Sequence, residues 1–338
     1  MKQLLRLTGI ALIGMLITMG VSVPSALSAG KKLKLGFVTA ANEKDPYFIT
    51  AKKFSELVTE YTDGRYEIDL FGNGQLGNES EMIKNLTMGT MDIGVITNAP
   101  VGSFVNEFMI LDLPFIFPSA KVAHTVLDGA AGDMLLKKLD KLQITGLAFS
   151  EGGFRNMINN VRPVNSPADL KGVKYRVMKT PVYIKMFQSL GANAVPMPWG
   201  ETFSAVQQKV VDGLEIPVPV IYSNKFYEVA KYLSLTGHTY SPLVIMVSDM
   251  TWKKKLSDAD RAAFKRAAKE SAVYEREAIA KIIEGYLKDL SDEGMDINEI
   301  ANMKPFQDAV KPMYAEFESK IGPDVMKMFL TARDNASN

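Results

Sequence analysis

Cysteine is absent from the whole chain. No disulfide can staple the fold, and no thiolate can serve as nucleophile or metal ligand. Histidine is nearly absent too: His124 and His238 are the two, far apart and without partners at ligand spacing. That excludes a histidine-rich metal centre, and His124, beside Val122 and Val126, reads as packing on a helix face. Neither charge sign dominates, with 39 Lys and Arg against 38 Asp and Glu, so no basic surface for nucleic acid or membrane is expected. There is no Gly-x-Ser-x-Gly elbow, P-loop or dinucleotide fingerprint; Gly72-Asn73-Gly74-Gln75-Leu76-Gly77 has the wrong spacing to cradle phosphate. No cofactor, metal or catalytic residue is expected. A carboxylate pair acting as acid and base is the one enzymatic option that composition leaves open.

Long apolar runs are also missing, apart from one at the N-terminus. Lys2 and Arg6 precede an uninterrupted stretch, Leu7 to Val21, that is shorter than the roughly 20 residues a membrane helix needs. Small residues follow at once, and cleavage after Ser28 sets Ala26 and Ser28 at the small-residue positions; cleavage after Ala29 fits as well. Residues 1–28 are therefore expected to be a secretory signal peptide, and the mature protein to reside in the periplasm. A retained anchor would need a longer run. Without a cysteine in this segment, lipoprotein-type lipidation is excluded. In an oxidising compartment a cysteine-free chain avoids mispairing, and about 310 mature residues suffice for a core without staples, in two domains. Loss of Lys2 and Arg6 leaves 37 basic residues against 38 acidic ones.

What is present alternates between strand and helix signals. Lys32–Val38 has period two, Tyr47–Thr62 has helical spacing, Tyr66–Leu70 is a strand, Asn78 caps a helix to Met88, and Asp92–Ile96 is a short buried strand. This order predicts a parallel α/β sheet. Helices are predicted from about Ser119 to Leu142, and Ile144–Phe149 leads across to a second unit. That unit has a strand around Arg176, a helix over Pro181–Leu190, a strand near Ala194–Pro196 and a helix over Glu201–Lys209. Tyr232–Leu235 and Leu243–Val247 read as two strands returning to the first unit. From Asp258 to about Glu293 the pattern is helical, with no Pro or Gly before Gly285. Such a helix runs on the order of 50 Å at 1.5 Å per residue, long enough to brace two domains. Further helix is predicted over Pro305–Ile321, and a short one to about Leu330.

Among these elements Arg176 carries the most chemistry. In Val173-Lys174-Tyr175-Arg176-Val177 the apolar residues alternate with the basic ones, so Arg176 faces away from its strand's core side. A guanidinium on a rigid strand is a clamp for a carboxylate, since it cannot lose its charge and donates two parallel hydrogen bonds. On this stretch alone an ordinary surface salt bridge is the better explanation.

The landmarks over nearly the whole mature chain resemble those of the DctP-type solute-binding proteins of TRAP transporters, the tripartite ATP-independent periplasmic transporters. The matching segments include Gly74-Gln75-Leu76-Gly77 with the Glu79 helix, Met88-Gly89-Thr90-Met91-Asp92, Leu113-Pro114-Phe115 and Phe154-Arg155-Asn156. They continue through Pro167 to Val177, Leu190-Gly191-Ala192 with Val195-Pro196-Met197, Val211-Asp212-Gly213-Leu214-Glu215, Lys225 to Val229, and Thr236-Gly237-His238. The resemblance implies an α/β, two-lobed periplasmic binding protein fold, with a long helix over 258–293 bracing both lobes. Lobe I would hold 29–150 and about 240–270, and lobe II would hold 151–239 and the C-terminal segments of about 290–338. The implied activity is capture of a small organic acid by a monomer, which closes like a clamshell and delivers its ligand to the membrane subunits of a TRAP permease. Arg176 would pair with the ligand carboxylate and Arg155 would add a second contact; read from its own neighbours, Arg155 is a turn residue after Gly152-Gly153. Trp199 falls where the family places an aromatic wall, and is otherwise a core tryptophan.

The chain departs from the family pattern at two places. Many members carry Asn after the Glu of the Asp-Gly-x-Glu segment, where this chain has Ile216. That exchanges an amide donor for an aliphatic surface and favours a less hydroxylated ligand. Thr97 and Pro100 stand near the positions that are acidic and arginine in sialic-acid binders, which argues against sialic acid. Thr97, Asn98 and Asn42 are expected to supply neutral hydrogen bonds from the first lobe, and Tyr222 to extend the apolar wall. A C4-dicarboxylate, a 2-oxo or hydroxy acid, an aromatic or branched acid and a sugar acid all fit, with a monocarboxylate bearing an apolar or modestly polar tail the preferred expectation. The competing functions are a sensory subunit that presents its ligand to a membrane kinase, and a secreted carboxylate-using enzyme.

Overall fold

The computed structural model describes residues 30–337. The expected signal segment and its cleavage positions at Ser28 and Ala29 lie outside the described residues. Nine strands form one continuous sheet: β1 (Lys31–Gly36), β2 (Tyr66–Phe71), β3 (Ile93–Thr97), β4 (Ile144–Asn159), β5 (Lys174–Val177), β6 (Asn193–Pro196), β7 (Gly213–Pro217), β8 (Tyr232–Ser248) and β9 (Asp296–Glu299). The order is β2-β1-β3-β8-β4-β7-β5-β6, with β9 added to β8. The strands β1, β2 and β3 pair in parallel at one end, and β5, β6 and β7 do so at the other.

The two long strands join these ends and run antiparallel to each other. β8 pairs with β3 through Leu243–Val247, whereas β4 pairs with β7 through Arg155–Asn159. Each long strand thus begins in one lobe of the α/β fold and finishes in the other. Tyr232–Leu235 and Leu243–Val247, expected as separate strands, are the two ends of β8. Pro242, which has no N–H to give a ladder, sits opposite Glu151 where the register shifts between Glu151 and Gly153. Gly153 takes φ +99° at this bulge, a conformation that suits glycine. The strand therefore continues, and Arg155 lies within it and not in a turn.

Helix starts follow their capping residues. Asp45 caps Pro46–Tyr61 by accepting from the backbone of Tyr47 and Phe48, with Pro46 at the first helical position. Asn78 and Glu81 form a reciprocal capping box ahead of Glu79–Met88, as Ser257 and Asp260 do ahead of Asp258–Asp292. That last helix has 35 residues and packs on the Pro46–Tyr61 helix, on β4 and on the short Val218–Ser223 helix, so it braces both lobes. Phe264 anchors it, edge-on to Phe54 at 5.9 Å and to Tyr66 at 5.7 Å.

The helices expected from about Ser119 to Leu142 are Ala120–Leu127 and Ala130–Lys138, parted at Gly129. The C-terminal segment, expected with the second lobe alone, is shared. Lys304–Val310 packs on Pro181–Ser189, Pro312–Ile321 packs on Asn106–Asp112 as well as on Pro181–Ser189, and Pro323–Ser337 packs on Ala120–Leu127 and Ala130–Lys138. Gly322, at φ +100°, separates the last two helices. Among the described residues no helix is long and apolar enough to cross a membrane.

Candidate ligand-binding site

A cavity lies where the long strands cross between the two ends of the sheet. Its first-lobe wall carries Val38, Tyr47, Glu79 and Thr97; its second-lobe wall carries Arg155, Arg176, Met178, Trp199, Ile216 and Val220. It is small, about 20 Å³ measured as the room open to the centre of a water molecule. A cavity of this size holds one or two waters.

Arg176 comes from β5, between Tyr175 and Val177, both fully buried in the core on the other face. Its own side chain is 3% exposed. The Nε and Nη2 groups donate to the carbonyl of Met197, at 3.0 and 2.7 Å. This anchor fixes the plane of the guanidinium at the cavity wall and leaves Nη1 outside both bonds. Trp199, the first residue of the Trp199–Gln207 helix, stands with its ring 6.0 Å from the guanidinium carbon and packs on Phe226. Arg176 forms no ion pair among the described residues. Burial pulls its guanidinium down to about 10, with Arg155 adding to the effect and Glu215 opposing it. It stays charged at neutral pH, held in a place that favours an added anion.

Arg155 is arranged differently. It reaches from β4 to Glu215 on β7 and donates Nε and Nη2 to the two carboxylate oxygens; Nη2 also donates to the Glu215 carbonyl at 2.6 Å. Its Nη1 donates to the Ser241 hydroxyl at 3.2 Å. Both side chains of the pair are buried. Burial alone would raise the Glu215 carboxyl, but Arg155 and His238 hold it below its ordinary value. His238 Nε2 lies 3.4 Å from Glu215, and the hydroxyl of Thr236 is 2.8 Å from the other ring nitrogen. Arg155 therefore presents donors whose net charge is already balanced.

Glu79 faces these cations from the first lobe, and the sequence had indicated it only as part of a helix. It occupies the first position of Glu79–Met88 and accepts from the Thr97 backbone N–H at 3.0 Å. An acidic residue in a first turn ordinarily reads as a partner of the helix dipole, which masks a role in a cavity. Burial pushes its carboxyl up to about 7, and Arg176 and Arg155 only partly reverse this. Tyr47 and Ser241 were likewise not legible: Tyr47 opens a helix with a complete apolar explanation, and Ser241 falls between the two stretches expected as separate strands.

The other expected residues divide. Thr97, Trp199 and Ile216 line the cavity with the two arginines. Asn98 does not: its Nδ2 donates to the Phe108 carbonyl and to Asp112, at 2.9 and 2.8 Å. It opens the short Asn98–Gly102 helix and ties it to the Asn106–Asp112 turn. Asn42 stands outside the cavity, donating to the carbonyl of Ser223 at 3.3 Å. Tyr222 lies there too, stacked on Tyr286 at 4.6 Å. His124, expected as packing, contacts Glu151 at 2.6 Å.

A family model described as bacterial extracellular solute-binding protein, family 7, matches residues 37–320. The 2,3-diketo-L-gulonate-binding periplasmic protein YiaO of Escherichia coli is 33% identical over 303 residues, covering 88% of this chain and 91% of that protein. The sugar-acid-binding protein of Advenella mimigardefordensis in complex with galactonate superposes with a TM-score of 0.87 at 35% identity, over 91% of this chain and 99% of that one. A TRAP periplasmic solute-binding protein of Polaromonas bound to D-erythronate gives 0.85 at 37% identity, over 88% and 98%. The chain belongs to the DctP family of TRAP-transporter solute-binding proteins.

Proposed function

We propose that this protein captures a short, hydroxylated monocarboxylate between its lobes and, as a monomer in the periplasm, delivers it to the membrane subunits of a TRAP permease. The observation that carries the reading is the state of Arg176: buried, anchored by one backbone carbonyl, and without an acidic partner among the described residues. A desolvated guanidinium gains most from a carboxylate that brings two oxygens to its free edge. Arg155 donates to the same end of the ligand without adding net charge, because Glu215 balances it.

Glu79 sets the other end. Its carboxyl hydrogen-bonds ligand hydroxyls and, while it is ionised, repels a second ligand carboxylate, which disfavours dicarboxylates above about pH 7. The expected apolar or modestly polar tail is thereby replaced by a hydroxylated one, with Trp199 and Ile216 covering the carbon chain. The acids bound by the Advenella and Polaromonas relatives, galactonate and D-erythronate, are hydroxylated monocarboxylates and support this class.

The test is thermal unfolding of the mature protein against aldonic, uronic, 2-oxo and dicarboxylic acids. A ligand at roughly 1,000 times its Kd adds about 4 kcal/mol, a rise of several degrees. Stabilisation by hydroxylated monocarboxylates, absent in Arg176→Ala, is the expected result. Stabilisation by dicarboxylates alone would overturn the assignment of Glu79, and no stabilisation by any carboxylate would overturn the receptor reading.

A further inference from the structure

The segments that line the cavity continue outward into a second, separate contact between the lobes. Beyond Val38 and Thr39 the first lobe extends through 40–45, and beyond Ile216 and Val220 the second lobe extends to Asn224. These stretches clasp each other. Asp45 accepts from the Ser223 hydroxyl at 2.8 Å and from the Asn224 amide at 3.1 Å, both at Oδ2. The Ala40 backbone N–H donates to Asn224 Oδ1 at 3.0 Å, and Asn42 Nδ2 donates to the Ser223 carbonyl at 3.3 Å. Lys44 Nζ donates to the Tyr222 hydroxyl at 3.1 Å, and Tyr286 of the long helix donates to the Lys44 carbonyl at 3.3 Å.

Asp45 is fully buried at the centre of this contact, and its Oδ1 serves its own lobe. It accepts from the Thr39 hydroxyl at 2.6 Å and from the Tyr47 backbone at 3.0 Å. One carboxylate thus caps a first-lobe helix with one oxygen and holds the second lobe with the other. None of Asp45, Ser223 or Asn224 lines the cavity. The contact and the cavity are tied through Thr39, and through Val220, whose carbonyl accepts from Asn224 at 3.2 Å.

We infer that the grip of Asp45 on Ser223 and Asn224 is a closure latch, which holds a fraction of the molecules closed before any ligand arrives and so sets affinity without touching the ligand. The inference rests on the lobe-closing reading above. When only the closed form binds tightly, apparent affinity scales with the closed fraction. Loss of the latch then weakens every ligand by the same factor and leaves their rank order unchanged. A residue that contacts ligand changes the rank order.

Asp45 is the wrong residue to replace, because its loss also uncaps a helix. Asn224→Ala removes two cross-lobe hydrogen bonds and Ser223→Ala removes one. The absence of native cysteine allows spin labels to be placed cleanly at K84C, on an exposed site of the first lobe, and Q188C, on an exposed site of the second. Electron–electron distance distributions are recorded on the full mature chain without added acid, and then with D-galactonate, D-erythronate and succinate. The expected result is a mixed distribution in the parent, with the closed-to-open ratio lowered roughly five-fold in Ser223→Ala and more in Asn224→Ala, at equal far-ultraviolet circular dichroism. A parent that is wholly open without ligand, or variants with unaltered distributions, would overturn the latch. If the variants shift the distributions but no acid does, the latch stands and the carboxylate-receptor reading fails.

Discussion

Arg155 and Glu215 form a closed pair, both buried, with the guanidinium donating to both carboxylate oxygens. Arg176, in the same cavity, has a backbone carbonyl in place of the acid. The two arginines are therefore not equivalent: one offers geometry and the other offers charge. Truncation of Arg155 strands a buried Glu215, a change that costs several kcal/mol of stability. Truncation of Arg176 removes a desolvated charge and breaks no ion pair, and the nearby buried Glu79 carboxyl answers by moving further up.

Arg176→Ala should accordingly fold with an unfolding temperature at or above that of the parent, while losing at least about 100-fold in ligand affinity, or roughly 3 kcal/mol for a charge-assisted pair. Calorimetric titration beside a melting curve checks both halves. A variant that binds normally but melts early would place Arg176 in the scaffold and not in the site.

Ligand affinity should strengthen as pH falls through about 7. The Glu79 carboxyl is already pushed up to about 7 by burial, and a bound anion that neutralises Arg176 removes part of what keeps Glu79 ionised. Binding and protonation of Glu79 are then mutually favourable. Glu79→Gln should flatten the profile of Kd against pH between 6 and 8, and should admit dicarboxylates that the parent rejects.

Asp112 should make the fold less stable as pH rises. Burial pushes its carboxyl up to about 7, against an ordinary value of 3.8. With the folded value above the unfolded one, its contribution is complete below about 4 and is lost as pH climbs through 7, by up to a few kcal/mol. Asp112 Oδ2 and Asn98 Oδ1 both lack a hydrogen-bond partner in the buried pair. Unfolding free energies of Asp112→Asn, measured in urea from pH 4 to 8, should show a shallower slope than those of the parent.

Ile216→Asn should move selectivity toward acids with more hydroxyl groups. Ile216 is buried on β7 and meets the cavity as an aliphatic surface, opposite Asn156 in the ladder. An amide there adds a donor to the ligand's flank at the price of apolar contact. A ten-fold change in the ratio of affinities for galactonate and a less hydroxylated acid of similar length corresponds to about 1.4 kcal/mol, within reach of one hydrogen bond.

The strand carrying Arg176 was legible because period two leaves little freedom once Tyr175 and Val177 are assigned to the core. The long helix was legible because its helical pattern runs on from Asp258 with no proline or glycine to interrupt it before Gly285. β4 and β8 were not. Gly152-Gly153 and Pro242 are local stop signals, and only the pairing of two irregular segments against each other absorbs them. The same limit hid Glu79, whose place at a helix start is satisfied by a purely local account, and misdirected Asn98, whose partners come from the 3₁₀ turn at Asn106–Asp112. Local pattern reports which face a side chain leaves by. It does not report what the other lobe brings to meet it.

The continuity of the sheet through β4 and β8 has a mechanical consequence. Two lobes joined by slack loops would drift apart freely. Here the connection is a pair of hydrogen-bonded ribbons with bulges at Glu151 and Arg155, backed by the helix Asp258–Asp292. Lobe closure of the kind proposed above would therefore bend these ribbons, and a hydrogen-bonded ribbon resists bending in a way that a slack loop does not.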